Sequence, residues 1–267
     1  MEQTKAPWHT RFAFILALLL PVYFAVAALG TKVGLWSWQV GLISLVIGAG
    51  PMLLGIVAAV AVVSLILVLR KAPRKGWPLA AFALILPAGI FAFLAIAGSD
   101  AANHPIHDVA TDTGNPPQFS ATTLAARQET DANPVHDYQT PLSQIEMFEG
   151  TPPELAIQSH AQIITDRYPE LAPLPLGGAS QADAVAAVAA AMGEMGFADI
   201  RSDAETGLVE GVAETFWFGF KDDVVARVGE TQIDFRSVSR VGRSDLGANA
   251  ERIKELRKST AARIGQR

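Results

Sequence analysis

The sequence predicts an α-helical transmembrane module followed by a separate α+β soluble domain. Three observations predict it. Residues 1–98 contain three long apolar runs. Those residues hold seven Lys/Arg against one acid, about +6, whereas residues 99–267 hold fourteen against twenty-five, about −11. Residues 179–267 then carry strand-like patterns bracketed by two helical ones. A basic apolar module and an acidic polar domain are different physical objects, and each is read by its own rules.

The apolar runs cover about 12–30, 40–69 and 77–98. Each exceeds the roughly 18 residues needed to cross about 30 Å of hydrocarbon. Run two would be roughly 45 Å long if helical, so it is expected to tilt, or to kink near Gly50-Pro51. Trp36, Trp38 and Trp77 stand at run ends, as interfacial anchors do. Arg70, Lys71, Arg74 and Lys75 crowd the loop between runs two and three, and Lys5 and Arg11 flank run one. The loop 31–39 holds only Lys32. The positive-inside rule therefore expects a cytoplasmic N-terminus and an external C-terminal domain. In a bacterium with two membranes that means the inner membrane and the periplasm. A rival reading makes run one a cleavable signal peptide ending near Ala25-Val26-Ala27, which leaves the domain on the same side.

Gly41, Ser44, Gly48, Gly55 and Ala59 fall on one helical face of run two. Small residues let helix backbones approach closely in lipid. The face serves packing within the chain, or contact with a second copy or a partner membrane protein. No Asp, Glu, His, Lys or Arg interrupts any run, which argues for an anchor and against an ion pathway.

Residues 99–178 are rich in Pro and polar residues. An extended segment wrapping a domain surface is expected there, with one short helix around Pro153–Tyr168. Residues 179–267 read as an α+β core in α-β-β-β-β-α order. Ser180 caps the first helix, Val185, Val188, Met192 and Met195 line its inner face, and Gly196 stops it. Strands follow at Phe197–Ser202, Leu208–Phe218, Val224–Val228 and Thr231–Arg240, with a hairpin turn at Gly229-Glu230. The last helix starts at Ser244 or Asp245 and turns Leu246, Ile253 and Leu256 inward. An antiparallel sheet with helices on one face satisfies this order.

There is no cysteine, which excludes disulfides and thiolate metal sites. The acidic domain is a poor match for nucleic acid. The densest polar constellation is residues 234–249. On a strand, Asp234, Arg236, Val238 and Arg240 share one face, and Arg243 arrives beside the next helix. Arg236, Arg240, Arg243, Ser244, Asp245 and Asn249 form a candidate site for a phosphate, a carboxylate or a lipid headgroup. The competing reading is internal: Asp222, Asp223, Glu210 and Glu214 pair the arginines, and Asp245 caps the helix. His104, His107 and Asp108, with His136-Asp137 further on, are candidate metal ligands, though their spacing matches no metal motif. Phe216-Trp217-Phe218-Gly219-Phe220 offers aromatics that could stack a ligand, and reads first as a buried central strand. No His follows His160, and G-x-S-x-G, P-loop and dinucleotide motifs are absent, so no catalytic residue or cofactor is named.

Ile106-His107-Asp108-Val109, Asn115-Pro116-Pro117-Gln118-Phe119, Tyr168-Pro169-Glu170-Leu171, Phe218-Gly219-Phe220-Lys221-Asp222-Asp223-Val224-Val225 and Arg236 through Gly247 resemble the family called domain of unknown function 1499. The resemblance covers roughly 103–257 and leaves out the apolar runs. It implies a bacterial or plastid protein, secreted or membrane-tethered, and it implies no activity. It also implies that the Pro-rich segment belongs to the domain. Three functions stay open: an envelope-associated binding module with an arginine-rich anion site, a metal-assisted periplasmic hydrolase, and a structural protein that recruits a membrane partner.

Overall fold

A computed structural model describes residues 5–265. The chain divides into two compact units, Met1–Ser99 with Phe216–Gly219, and Asp100–Thr215 with Phe220–Arg267.

In the first unit, α1 (Trp8–Lys32) is followed by a π-helical segment (Gln39–Ala49) that continues into α2 (Gly50–Arg70), and then by α3 (Trp77–Asn103). The three stretches are 25, 32 and 27 residues long, long and apolar enough to cross a membrane. The irregularity expected near Gly50-Pro51 is a change of helix type. The π-helix ends at Ala49, and Pro51 sits in the first turn of α2. Proline has no N–H for the carbonyl one turn earlier, and a π segment spaces its hydrogen bonds more widely. Ala13, Ala17 and Leu20 pack with Leu54, Val57 and Ala61. His9 Nδ1 lies 2.8 Å from Ser64 Oγ, and Tyr23 donates to the Leu45 carbonyl at 2.9 Å. The small-residue face divides. Gly41 is buried against α1, where a Cβ would fall 1.9 Å from Thr31 Oγ1, while Gly48 and Gly55 are exposed.

The second unit is the α+β domain. Its elements are β1 (Asp108–Ala110), α4 (Ala121–Glu129), α5 (Pro153–Ala156), α6 (His160–Arg167), β2 (Leu174–Pro175), α7 (Gln181–Glu194), β3 (Ala198–Asp203), β4 (Leu208–Glu214), β5 (Lys221–Val228), β6 (Gln232–Ser239) and α8 (Ala248–Arg263). The sheet is antiparallel in the order β1-β6-β5-β4-β3, and β2 also pairs with β6. The long helices α7 and α8 pack against the sheet over Val224, Ala226, Ile233 and Phe235. Ser180 caps α7 by accepting from Asp183 N at 3.1 Å, and Gly196 ends it with φ +77°.

The Pro-rich segment does more than wrap. It supplies β1 and β2, which extend the sheet, and the core residues Ile106, Tyr138, Leu142, Phe148 and Ile163. The helix expected over 153–168 is two pieces, α5 and α6, because Ser159 starts a new one with a capping box to Gln162. Two further expectations are corrected. The aromatic run is the loop between β4 and β5, since pairing ends at Glu214 with Lys221. Helix α8 starts at Ala248, so Leu246 lies before it and is 51% exposed, while Ile253 and Leu256 are buried as expected.

The β3–β4 turn depends on Gly207. Its φ is +71°, and a Cβ there would stand 2.2 Å from the Val228 carbonyl oxygen. Gly207→Ala is therefore expected to cost about 1–3 kcal/mol. Urea titration of both proteins measures it, and an unchanged midpoint would show that the turn relaxes freely.

Candidate functional site

The register sorts the polar residues onto two faces. Asp223, Val225 and Arg227 of β5 stand opposite Val238, Arg236 and Asp234 of β6, so these six share one face. Asp222, Ser237 and Ser239 point to the other face, toward α8.

Helix α4 covers the first face and is pinned at both ends. Ser120 caps it by accepting from Thr123 N at 3.3 Å. The same residue gives its N–H and O–H to Glu210 of β4 at 2.8 and 2.7 Å. At the other end Arg127 donates to Asp223 at 2.5 Å and to the Asn133 carbonyl at 2.7 Å. Arg240 donates to the same Asp223 through Nε at 2.9 Å and Nη2 at 2.7 Å. One buried carboxylate thus serves two guanidinium groups.

Arg236 is 0% exposed. It forms a bidentate pair with Asp108 at 3.0 and 2.7 Å and donates to the carbonyls of Pro117 and His136 at 3.2 and 3.1 Å. Tyr138 donates to the same Asp108 carboxylate. Burial would raise the Asp108 carboxyl, but the charge and hydrogen bonds of Arg236 hold it below the usual carboxylate range. Burial, and then the Asp108 charge, push the Tyr138 hydroxyl well above its usual value. The Phe119 ring is near both Arg127 and Arg236, whose guanidinium carbons are 5.8 and 5.9 Å from its centre.

Outside this layer runs a groove of about 690 Å³ between α4 and residues 131–138. Phe119, Leu124, Arg127, His136 and Tyr138 line it, and Asp131 and Asp137 also border it. Behind His136 lies a cluster of rings. The centres of His136 and His107 are 6.0 Å apart, those of His136 and His160 5.6 Å, and Phe148 packs against all three. Neither ring nitrogen of His107 or His160 has a hydrogen-bond partner. Burial, the largest cause for each, pushes His107 down to about 3 and His160 down to about 4. His136 is lowered too, again mainly by burial.

The six residues read as an anion site do not converge on one place, although Asp245 and Asn249 are in contact. Arg236 and Arg240 lie on the α4 face, already paired with Asp108 and Asp223. Asn249 lies on the α8 face, donating to the His107 carbonyl at 2.8 Å and to Ser239 Oγ at 3.0 Å. Arg243 is exposed and donates to the Glu149 carbonyl at 3.1 Å. Ser244 and Asp245 shape the turn before α8: Ser244 Oγ accepts from Leu246 N, and Asp245 accepts from Gly247 N and Asn249 N. Of the three metal candidates, His104 pairs with the Tyr168 hydroxyl at 2.7 Å, Asp108 serves Arg236 and Tyr138, and His107 is buried. Among the described residues no group of three or more His, Asp or Glu has the geometry to hold a metal ion. Of the internal pairing weighed for these arginines, Asp223 with Arg240 is present, and Asp245 accepts from Asn249 N at the start of α8, whereas Arg236 takes Asp108, Asp222 pairs with Arg252 and Glu210 with Arg201. Arg127 and His160 carried no sequence signal of their own. Only the Ser120 cap, with Leu124 a turn later, could have hinted at α4.

Three membrane-length helices followed by a six-stranded antiparallel α+β domain define a class: a helical module carrying one folded domain whose polar sheet face is closed by a short pinned helix. Residues 108–259 match the family described as Protein of unknown function (DUF1499), and the chain belongs to it. No curated protein and no solved structure matches the chain.

Proposed function

We propose that this chain is an inner-membrane protein that presents its α+β domain to the periplasm as a binding module, and that the groove beside α4 is its ligand site. One observation carries the site. Arg127 and Arg240 share the single carboxylate of Asp223, so one positive charge at the groove wall is left unbalanced within that trio. An anionic group, as in a small molecule or a lipid headgroup, supplies the missing charge. The aromatic wall of Phe119 and Tyr138 suits a ligand with an apolar or planar part. Asp131 and Asp137 at the border favour one that also carries a cationic or hydrogen-bond-donating group. This moves the anion site from Arg243 and the α8 turn to Arg127. The basic loop 70–75 supports the orientation.

The test uses the full chain, purified from bacterial membranes in mild detergent. Native mass spectrometry is expected to show a co-purifying anionic species. Leu124→Trp, which fills the groove from an exposed wall position, is expected to remove it with the fold intact. Retention of that species by the variant, or an apo mass for the wild type, goes against the site. Because the chain lacks cysteine, Glu205→Cys makes a single exposed thiol in the domain. An impermeant maleimide added to cells with a permeabilised outer membrane should label it. Labelling only after lysis would reverse the orientation.

A further inference from the structure

The loop between β4 and β5 ends in aromatic residues that the domain does not bury. Phe216 is 69% exposed and Trp217 53%. Their rings pack edge to face, 5.1 Å between centres, so they present one joint apolar surface. The loop below them is closed firmly. Thr215 N donates to the Phe220 carbonyl at 2.8 Å, Phe220 N donates to Thr215 Oγ1 at 2.9 Å, and Gly219 takes φ +67° to complete the turn. A rigid tip with outward aromatics is costly to leave in water, and nothing in the strand pairing requires bulky residues there.

From these observations we infer that Phe216 and Trp217 form an interfacial anchor that dips into the headgroup region of the bilayer. Two features favour lipid over a protein partner. The chain contains three membrane-length helices, so a bilayer is always at hand. Trp and Phe combine an apolar body with, in Trp, a polar N–H, the combination enriched at membrane interfaces. The inference is independent of the groove.

Full-length protein carrying one cysteine, Phe216→Cys or Trp217→Cys, is spin-labelled and placed in nanodiscs of phosphatidylcholine and phosphatidylglycerol. Each variant keeps the other aromatic, and both positions are exposed, so the fold is retained. Accessibility to oxygen, which concentrates in lipid, is compared with that to a water-soluble nickel chelate. The oxygen-to-nickel ratio at 216 and 217 is expected to exceed that at a Glu205→Cys control several-fold. A ratio equal to the control would place the tip in water and overturn the inference. Protection from both reagents would also overturn it, by showing that protein covers the tip.

Discussion

Arg236→Met is expected to destabilise the α+β domain by about 3–5 kcal/mol, the cost of stranding a buried charge. Arg236 and Asp108 are both fully buried and pair at 2.7 Å. Removing the guanidinium leaves the Asp108 carboxylate with only Tyr138, and leaves the Pro117 and His136 carbonyls without their donor. The carboxylate must then stay charged in an apolar site or take up a proton. Arg236→Met combined with Asp108→Leu removes both charges and is expected to recover most of the loss, though not the part due to the two carbonyls. Urea unfolding of the four proteins closes the cycle. If the double variant is no more stable than the single one, the pair is not what holds β1 to β6.

Acid is expected to unfold this domain well before its carboxylates titrate, through His107 and His160. Their folded pKa values, about 3 and about 4, lie below the ordinary histidine value. The folded protein therefore binds fewer protons than the unfolded chain between roughly pH 6.5 and pH 4. Stability is complete above that window and falls as pH drops through it, by on the order of 1.4 kcal/mol per pH unit for each ring. The groups facing the rings modulate the slope. Asp108 raises both pKa values, and Asp137 adds to that at His160. The cations oppose: Arg127 lowers His107 and Arg236 lowers His160. Chemical denaturation at pH 7.0, 5.5 and 4.5 measures the effect, and His107→Phe should flatten the curve. Equal stability at all three pH values would show that the rings reach water in the folded state.

Much of the architecture was legible because it follows from periodicity and caps. Apolar run length marked the three long helices. Ser180 and Gly196 bounded α7, and alternation marked β3 to β6. Alternation also placed Asp234, Arg236, Val238 and Arg240 on one face; the register of β5 and β6 upholds this for the first three, and the pairing with Asp223 for Arg240. It failed at Phe216–Phe220, where apolar residues suggested continuation of the strand. Hydrophobicity alone does not distinguish a buried strand from a tip that meets another apolar phase.

The candidate site was hardly legible at all. Arg127 is distant in sequence from Asp223, and so is His136 from His107 and His160. Only folding of the Pro-rich segment onto β6 brings them together. Local composition separates two physical objects, a helical module and a mixed domain, because solvent preference is written residue by residue along the chain. Which arginine meets which carboxylate is settled by the packing in three dimensions. Charge pairing in a buried layer depends on register and chain crossing, and neither leaves a local mark in the sequence.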